Sequence, residues 1–330
     1  MSRHPPIDHA AIANAVALLR AGDVVGMPTE TVYGLAGDAT NAVAVARIFA
    51  LKRRPADHPL IVHLPGADAL PQWALRDDDR ARALAARFWP GPLTLIVPRA
   101  AHVSDAVTGG QDTVGLRVPD HPVALALLAA FGGALAAPSA NRFGHISPTT
   151  SEHVRREFGD ELALILDGGP CDIGIESTIV DLSGSEARVL RPGRIGLAAL
   201  AEVIGPVDAG ATRSSPRVSG ALASHYAPRT PAELVARADI RGQVRRATSE
   251  GERFVVLTRG EPVADAEGLT LPADPADYAR HLYAALRELD GEDADRILVE
   301  APPGDEAWTA VRDRLVRACA AQPFPESDTT

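Results

Sequence analysis

Lysine is nearly missing from this 330-residue chain: Lys52 stands alone among 33 basic residues, and the rest are arginine. Aromatic residues reach only 4%, so a core has to be built from Ala, Val, Leu and Ile. The two cysteines, Cys171 and Cys319, are far apart and in no CxxC pattern. That excludes a cysteine-rich zinc site and a disulfide framework, and it fits a reducing compartment. No Walker A loop, GxGxxG fingerprint or HExxH pair occurs, so ordinary P-loop, dinucleotide and zinc-hydrolase chemistry has no support. His58 and His63, five apart across a proline, make a poor metal pair, and no metal site is expected. Long apolar runs are missing too. The most apolar stretch, "VALALLAAFGGALAAP" (123–138), is too short for a membrane span and is cut by Gly132 and Gly133. It reads as a helix, a glycine break and a buried strand. The opening residues lack the apolar segment and cleavage site of a secretory signal. A soluble, cytoplasmic protein is expected.

Positive charge is also short. The formal net charge is -10. Residues 1–205 carry 18 basic against 22 acidic residues, and residues 206–330 carry 15 against 21. Neither part suits a polyanion-binding surface, so no strong direct nucleic-acid binding and no membrane association are expected.

What is present is an ordinary globular composition, 46% hydrophobic and 23% charged, in a chain long enough for two domains. Asp8 can cap a helix running to Ala21, with Gly22 as its stop, and a second helix is expected after Asn41 across "AVAVARIFALKRR". A charged helix is expected around 78–88. Strand-type runs are "VVGMP", "LIVHL" (60–64), "LTLIV" (93–97), "VGLRV" (114–118), "ALAAP" (134–138), "ALIL" (163–166), "STIVDL" (177–182) and "ARVLR" (187–191). The alternation predicts an α/β fold with a twisted sheet of mixed direction and flanking helices over 1–205. Residues 206–232 are rich in Ser, Pro, Gly and Arg, without periodicity, and read as a linker. A smaller α/β domain is expected over 233–322, with strands at "RFVVLTRG", "GLTLPAD" and "RILVE". The tail at 323–330 reads as disordered.

Chemistry-bearing residues gather at strand ends. "PTETVYGL" (28–35) runs from a buried-strand signal into Thr29, Glu30, Thr31 and Tyr33, as a strand does at a site or at a helix cap. Lys52 sits in "LKRRPADHPLIVH". Where arginine is so favoured, a surviving lysine marks either chance or a place that needs a compact ammonium. With Arg53 and Arg54 it suits a polyphosphate at a helix end. "APSANRFGHISPT" crowds Ser139, Asn141 and Ser147 into a loop of small residues where backbone N–H groups can approach a ligand, although a plain Asx or Ser turn would read alike. "GIESTIVDL" offers Ser177, with Glu176 a possible local cap, "VLRPG" offers Arg191, and "TVGLRVP" offers Thr113 and Arg117. Hydroxyls and cations with few carboxylates suit a triphosphate and a small polar co-substrate.

Taken in order, "PTETVYGL", "KRRPADHPLIVH", "FWPGPLTLIV", "VGLRVPDHP", "APSANRFGHISPT", "IESTIVD" and "LRPG" resemble the YrdC-like domain family across residues 8–205. "SHYAPRTP" and "ELDGEDADRILVEAPP" look like the extra, Rossmann-like domain of the long, two-domain threonylcarbamoyl-AMP synthases. The resemblance implies a nucleotidyltransferase that makes threonylcarbamoyl-AMP and pyrophosphate from L-threonine, bicarbonate and ATP. Other proteins, the tRNA-threonylcarbamoyl transferase components, then use that product next to the anticodon. It implies catalytic roles for Lys52, Arg54, Ser139 and Asn141. It adds ATP contacts at His58, Thr113, Ser147, Arg191, His225 and Tyr226, with Mg2+ carried by the phosphates. Threonine contacts would be Thr31, His63, Arg117, Ala137 through its backbone, and Ser177. His58 stands where the family commonly has Asn. The alternative, an RNA-binding or ribosome-maturation factor, is disfavoured by the negative charge.

Overall fold

Short polar side chains start the helices where the sequence places them. Asp8 accepts from the backbone N–H groups of Ala10 and Ala11 to open α1 (His9–Arg20), and Gly22 follows it at φ +83°. This computed structural model describes residues 4–220 and 225–320, so the tail expected at 323–330 lies outside the described residues. Those residues form two units, one of 4–143 and 147–220, the other of 144–146 and 225–320.

In the first unit β1 (Val25–Met27) and β2 (Gly34–Asp38) form an antiparallel hairpin that pairs Met27 with Gly34. Sequence reading places no strand at β2, because "GLAGD" is small and lacks the β-branched residues that signal one. "PTETVY" is therefore the hairpin's loop, and Thr31 sits in that loop instead of at a strand end. Asn41 then caps α2 (Ala42–Lys52) through the N–H groups of Val43 and Ala44. The following elements are β3 (Ile61–His63), α3 (Leu70–Trp73), α4 (Asp79–Phe88), β4 (Leu93–Pro98), α5 (Asp105–Thr108), β5 (Thr113–Arg117), α6 (Pro122–Phe131), β6 (Leu135–Ala136), α7 (Ser151–Phe158), β7 (Thr178–Asp181), β8 (Ala187–Arg191), α8 (Leu197–Ile204) and β9 (Val207–Ala209). Among the described residues the strands make one mixed sheet in the order β1-β2-β6-β3-β5-β4-β7-β8-β9. The strand expected at 163–166 is reduced to one bridge: the Gly26 N–H donates to the Leu164 carbonyl and the Leu166 N–H to the Gly26 carbonyl. β9, which pairs parallel to β8, lies within the stretch read as linker.

Period-two alternation gives the sheet two different faces. Val62, Leu95, Val97, Val114, Leu116, Val180 and Val189 point into the main core with Ile48, Leu84 and Leu200. On the other face α1 and α6 cover β1, β2 and β6 through Leu19, Met27, Leu127 and Leu135. Further along that face, Val218 packs on Ile96, Ile179 and Leu190. Between the two covers it carries His63, Thr94, Thr113, Gly115 and Arg117.

The second unit contains β10 (Ala232–Val235), α9 (Ile240–Glu250), β11 (Phe254–Arg259), β12 (Gly268–Leu271), α10 (Pro275–Leu289), β13 (Arg296–Glu300) and α11 (Thr309–Ala318). Its four described strands are parallel, in the order β10-β13-β11-β12, as a Rossmann-like domain requires. Sequence reading misses β10 and α9, whose only buried side chains are Val235, Ile240, Val244 and Ala247. The Glu300 carboxylate is fully buried at the end of β13 and takes both bonds of Arg237 Nη1, at 2.8 and 2.7 Å. No described helix is long and apolar enough to cross a membrane.

Two side chains tie the first unit's loops together, and each makes a prediction. The Tyr33 hydroxyl donates to the Gly169 carbonyl at 2.8 Å and accepts from the Gly168 N–H at 3.1 Å. Tyr33→Phe leaves that N–H unsatisfied and should lower unfolding free energy by about 1–3 kcal/mol, read from the urea midpoint at constant slope. His121 caps α6 by accepting from the Val123 N–H at Nδ1, 3.2 Å, which requires a neutral ring. Burial, then His4, push its pKa from 6.5 down to about 4. The unfolded chain thus takes up this proton near pH 6.5 and the folded chain only near pH 4. The cap's stabilisation is complete above pH 6.5 and declines toward pH 4, by up to about 1.4 kcal/mol per pH unit. Chemical denaturation of His121→Asn, which keeps a capping group, should show a shallower acid decline across that window than the parent.

Candidate functional site

The last turn of α2 separates its cations. Arg53 closes the helix in the left-handed conformation (φ 50°) and is exposed, while Lys52 and Arg54 on either side are buried. A buried ammonium needs acceptors. Lys52 Nζ donates to the carbonyls of Ser139 at 2.5 Å and Asn141 at 2.6 Å. Burial, then the neighbouring Arg54, hold its pKa well below the ordinary lysine value. Arg54 Nη2 donates to the Pro59 carbonyl at 2.9 Å and to Ser219 Oγ at 3.1 Å.

Backbone bonds pin the loop that carries Ser139 and Asn141 to the β1–β2 hairpin and to β3. The Leu35 N–H donates to Pro138, the Ala140 N–H to Tyr33, and the Ala137 N–H to Ile61. Gly34 bridges to Ser139, and a Cβ there would sit 3.1 Å from the Ala137 methyl. Only glycine allows that approach without displacement. Further along, Ser147 Oγ donates to Glu176 Oε1 at 2.6 Å, with both residues buried.

The carboxyl ends of the parallel pair β3 and β5 place His63 beside Arg117. Burial, then Arg117, push the His63 ring to about 3, so it is neutral at any physiological pH. Arg117 Nη2 donates to Glu30 Oε1 at 2.5 Å and its Nε donates to the Gly91 carbonyl at 3.2 Å. In the hairpin loop the Thr29 hydroxyl donates to the Val32 carbonyl at 2.6 Å. The 2.9 Å bond between Thr29 and Thr31 must then use the Thr31 proton, which leaves Thr31 Oγ1 an acceptor for anything further.

On the other flank Arg191 donates from Nε to the Ser177 carbonyl and from Nη2 to Ser177 Oγ, both at 3.0 Å. Its Nη1 donates to the Ser219 carbonyl at 3.0 Å. Ser219 therefore joins Arg54 to Arg191, one through its hydroxyl and the other through its carbonyl. Arg217 beside it donates to the carbonyls of Asp57 at 3.2 Å and Gly109 at 2.8 Å.

The structure thus gathers Lys52, Arg54, Ser139 and Asn141 around one loop, His63 and Arg117 at one pair of strand ends, and Ser177 with Arg191. Thr113 lies at the far end of β5, about 13 Å from Arg117 at strand rise and on the same face. Gly115 between them leaves the floor low. His58 is half-buried near Arg54, edge-on to Phe143 at 5.2 Å, and burial followed by Arg54 lowers its pKa. His225 and Tyr226 belong to the second unit, their rings edge-to-face at 4.2 Å. Tyr226 is buried there at φ 63°, under the Arg314 guanidinium and against Tyr283. Sequence reading misses Ser219, for which a serine in a Pro/Gly/Ser-rich stretch gives no signal. It leaves Glu30 unassigned, although a carboxylate inside "PTETVYGL" is a signal.

Comparison with known proteins covers both units. Residues 17–193 match the family model described as telomere recombination, and residues 195–320 match the one described as threonylcarbamoyl-AMP synthase, C-terminal domain. The chain is 39% identical over 325 residues to the threonylcarbamoyl-AMP synthase of Pyrococcus abyssi, covering 94% of this chain and 95% of that protein. It is 40% identical over 323 residues to that of Bacillus subtilis, covering 94% and 93%. The crystal structure of P. abyssi Sua5 complexed with L-threonine superimposes with a TM-score of 0.90 at 36% identity, covering 96% of each chain. On these grounds the chain belongs to the threonylcarbamoyl-AMP synthase family, in its two-domain form.

Proposed function

We propose that this chain is a nucleotidyltransferase that condenses L-threonine, bicarbonate and ATP into threonylcarbamoyl-AMP, releasing pyrophosphate. The observation that carries this reading is the buried pair Lys52 and Arg54, with the ammonium held well below its ordinary pKa. A polyanion arriving there offsets the unfavourable burial of the two basic groups and their mutual repulsion. The pocket at His63, Arg117 and Thr31 matches an amino acid with a hydroxyl: a cation for the carboxylate, and a neutral ring and an acceptor for the hydroxyl. Ser177 and the Ala137 backbone complete it. The nucleotide would run along β5 from Thr113, over Gly115, with His58 flanking it and Arg191, Ser139, Asn141 and Ser147 at its phosphates.

The threonine nitrogen, once carboxylated, carries a second anion beside the triphosphate. One carboxylate oxygen attacks the α-phosphorus, the bond to the bridging oxygen breaks, and pyrophosphate leaves with that electron pair. Two anions must be brought together, so the work of the site is neutralisation and alignment; no side-chain nucleophile is needed. Among the described residues no group of three or more His, Cys, Asp or Glu could hold a metal ion. A site of cations and hydroxyls suits phosphates better than a bare divalent ion, and Mg2+ would arrive bound to the triphosphate. The product would pass, in the cytoplasm, to the proteins that threonylcarbamoylate tRNA.

Two measurements test this reading. Pyrophosphate release by the full chain should require both L-threonine and bicarbonate; release of equal size with either one left out overturns it. Lys52→Arg should reduce turnover by roughly 10- to 100-fold although charge is kept. A planar fork cannot replace a compact ammonium between two carbonyls at 2.5 and 2.6 Å without moving the loop. Undiminished turnover in that variant would return the single lysine to chance.

A further inference from the structure

Glu30 stands out among the buried polar groups of the first unit. The residue is 4% exposed, yet only Oε1 of its carboxylate is engaged, by Arg117. Oε2 is buried with no hydrogen-bond partner among the described residues. Leaving a carboxylate oxygen in that condition is expensive, because a buried charge keeps its stabilisation only when its lone pairs are met. The Glu30 charge is also felt beyond Arg117: burial first, then Glu30, raise the pKa of Asp120. Nothing about the backbone obliges a carboxylate here. The Glu30 carbonyl accepts from the Ile173 N–H at 2.8 Å, a bond that any residue could make.

The pocket around it has the complementary gap. An α-amino acid with a 3-hydroxyl presents three polar groups. Arg117 answers the carboxylate, and Thr31 with His63, whose Nδ1 is also without a partner among the described residues, answers the hydroxyl. The amine is a donor and needs an acceptor, preferably a charged one while it is an ammonium. We propose that Glu30 Oε2 is that acceptor: Glu30 receives an N–H of the substrate amine while its Oε1 holds Arg117 for the substrate carboxylate. One side chain then sets the spacing between the two recognition points of the amino-acid backbone. It admits α-amino acids and rejects hydroxy acids of the same shape, because without an amine Oε2 stays buried and unpaired. This assignment rests on the reading of the pocket as a threonine site.

The test is calorimetric titration of the full chain and of Glu30→Gln with two ligands, L-threonine and (R)-3-hydroxybutyrate. The second keeps the carboxylate and the hydroxyl and lacks the amine. The substitution should weaken L-threonine by about 10- to 100-fold and (R)-3-hydroxybutyrate by no more than about threefold. Equal weakening of both would make Glu30 a support for Arg117 alone, and no weakening of threonine would leave it without a part in binding; either result overturns the proposal. The parent protein gives a check that needs no variant: if it binds (R)-3-hydroxybutyrate as tightly as L-threonine, the amine has no acceptor and the proposal fails. Parent pyrophosphate release that ignores threonine or bicarbonate would instead overturn the underlying reading. Release that depends on both, together with a flat response to Glu30→Gln, would overturn the assignment of Glu30 alone.

Discussion

The Lys52 ammonium, buried at the end of α2, donates to the carbonyls of Ser139 and Asn141, and the surrounding chain is arranged to permit it. Carbonyl dipoles satisfy the proton donors without cancelling the charge as a bonded carboxylate would. Glu157 acts on the ammonium more weakly than Arg54 does. The unit therefore holds two basic groups side by side in a place where water cannot screen them. Such a pair is unfavourable in the protein alone and favourable with an anion between its members. The left-handed Arg53 is what makes the arrangement possible, because it turns one cation outward so that the two flanking it can turn in.

The pocket proposed for the small co-substrate depends on a different device, the two faces of one sheet. Along β5, Val114 and Leu116 belong to the main core, while Thr113, Gly115 and Arg117 belong to the opposite face. Along β3, Val62 and His63 divide in the same way. Burying Val, Leu and Ile on one side is what holds Arg117 and His63 in register on the other. Around them the loops are tied by side chains with two-sided bonding, such as Tyr33 between Gly168 and Gly169 and Ser219 between Arg54 and Arg191. A hydroxyl that both donates and accepts can bridge chain segments that no ladder joins.

Much of this was readable in the sequence, for a physical reason. Asp8, Asn41 and Asp78 cap helices through atoms two or three residues away, and the β-branched runs of β4, β5, β7 and β8 announce strands by composition. Local causes leave local marks. β2, β9 and β10 escaped because their pairing comes from their neighbours: "GLAGD" or "VDA" becomes a strand only where an edge is waiting. The run at 163–166 erred in the other direction, since apolar residues with strand propensity met only one partner residue, Gly26. The candidate site shows the same division. Lys52 is visible as the one lysine at a helix end, and Ser139, Arg117 and Arg191 as residue types concentrated where strands end. Glu30 meets Arg117 across 87 residues and Ser219 meets Arg54 across 165, distances over which a single sequence carries no mark.

The alternation along β5 also bears on how such a chain can change over time. One residue gained or lost within Thr113–Arg117 would exchange the two faces, sending the guanidinium toward the core and a leucine toward the pocket. Core and pocket would fail together, so this segment is closed to insertions and deletions even though point substitutions remain open to it. Changes in length must settle elsewhere, at exposed turns such as 184–186, where the backbone has left one strand and has not yet entered the next. Descendants of this sequence should therefore differ in the lengths of their rims long before they differ in the spacing of their floor.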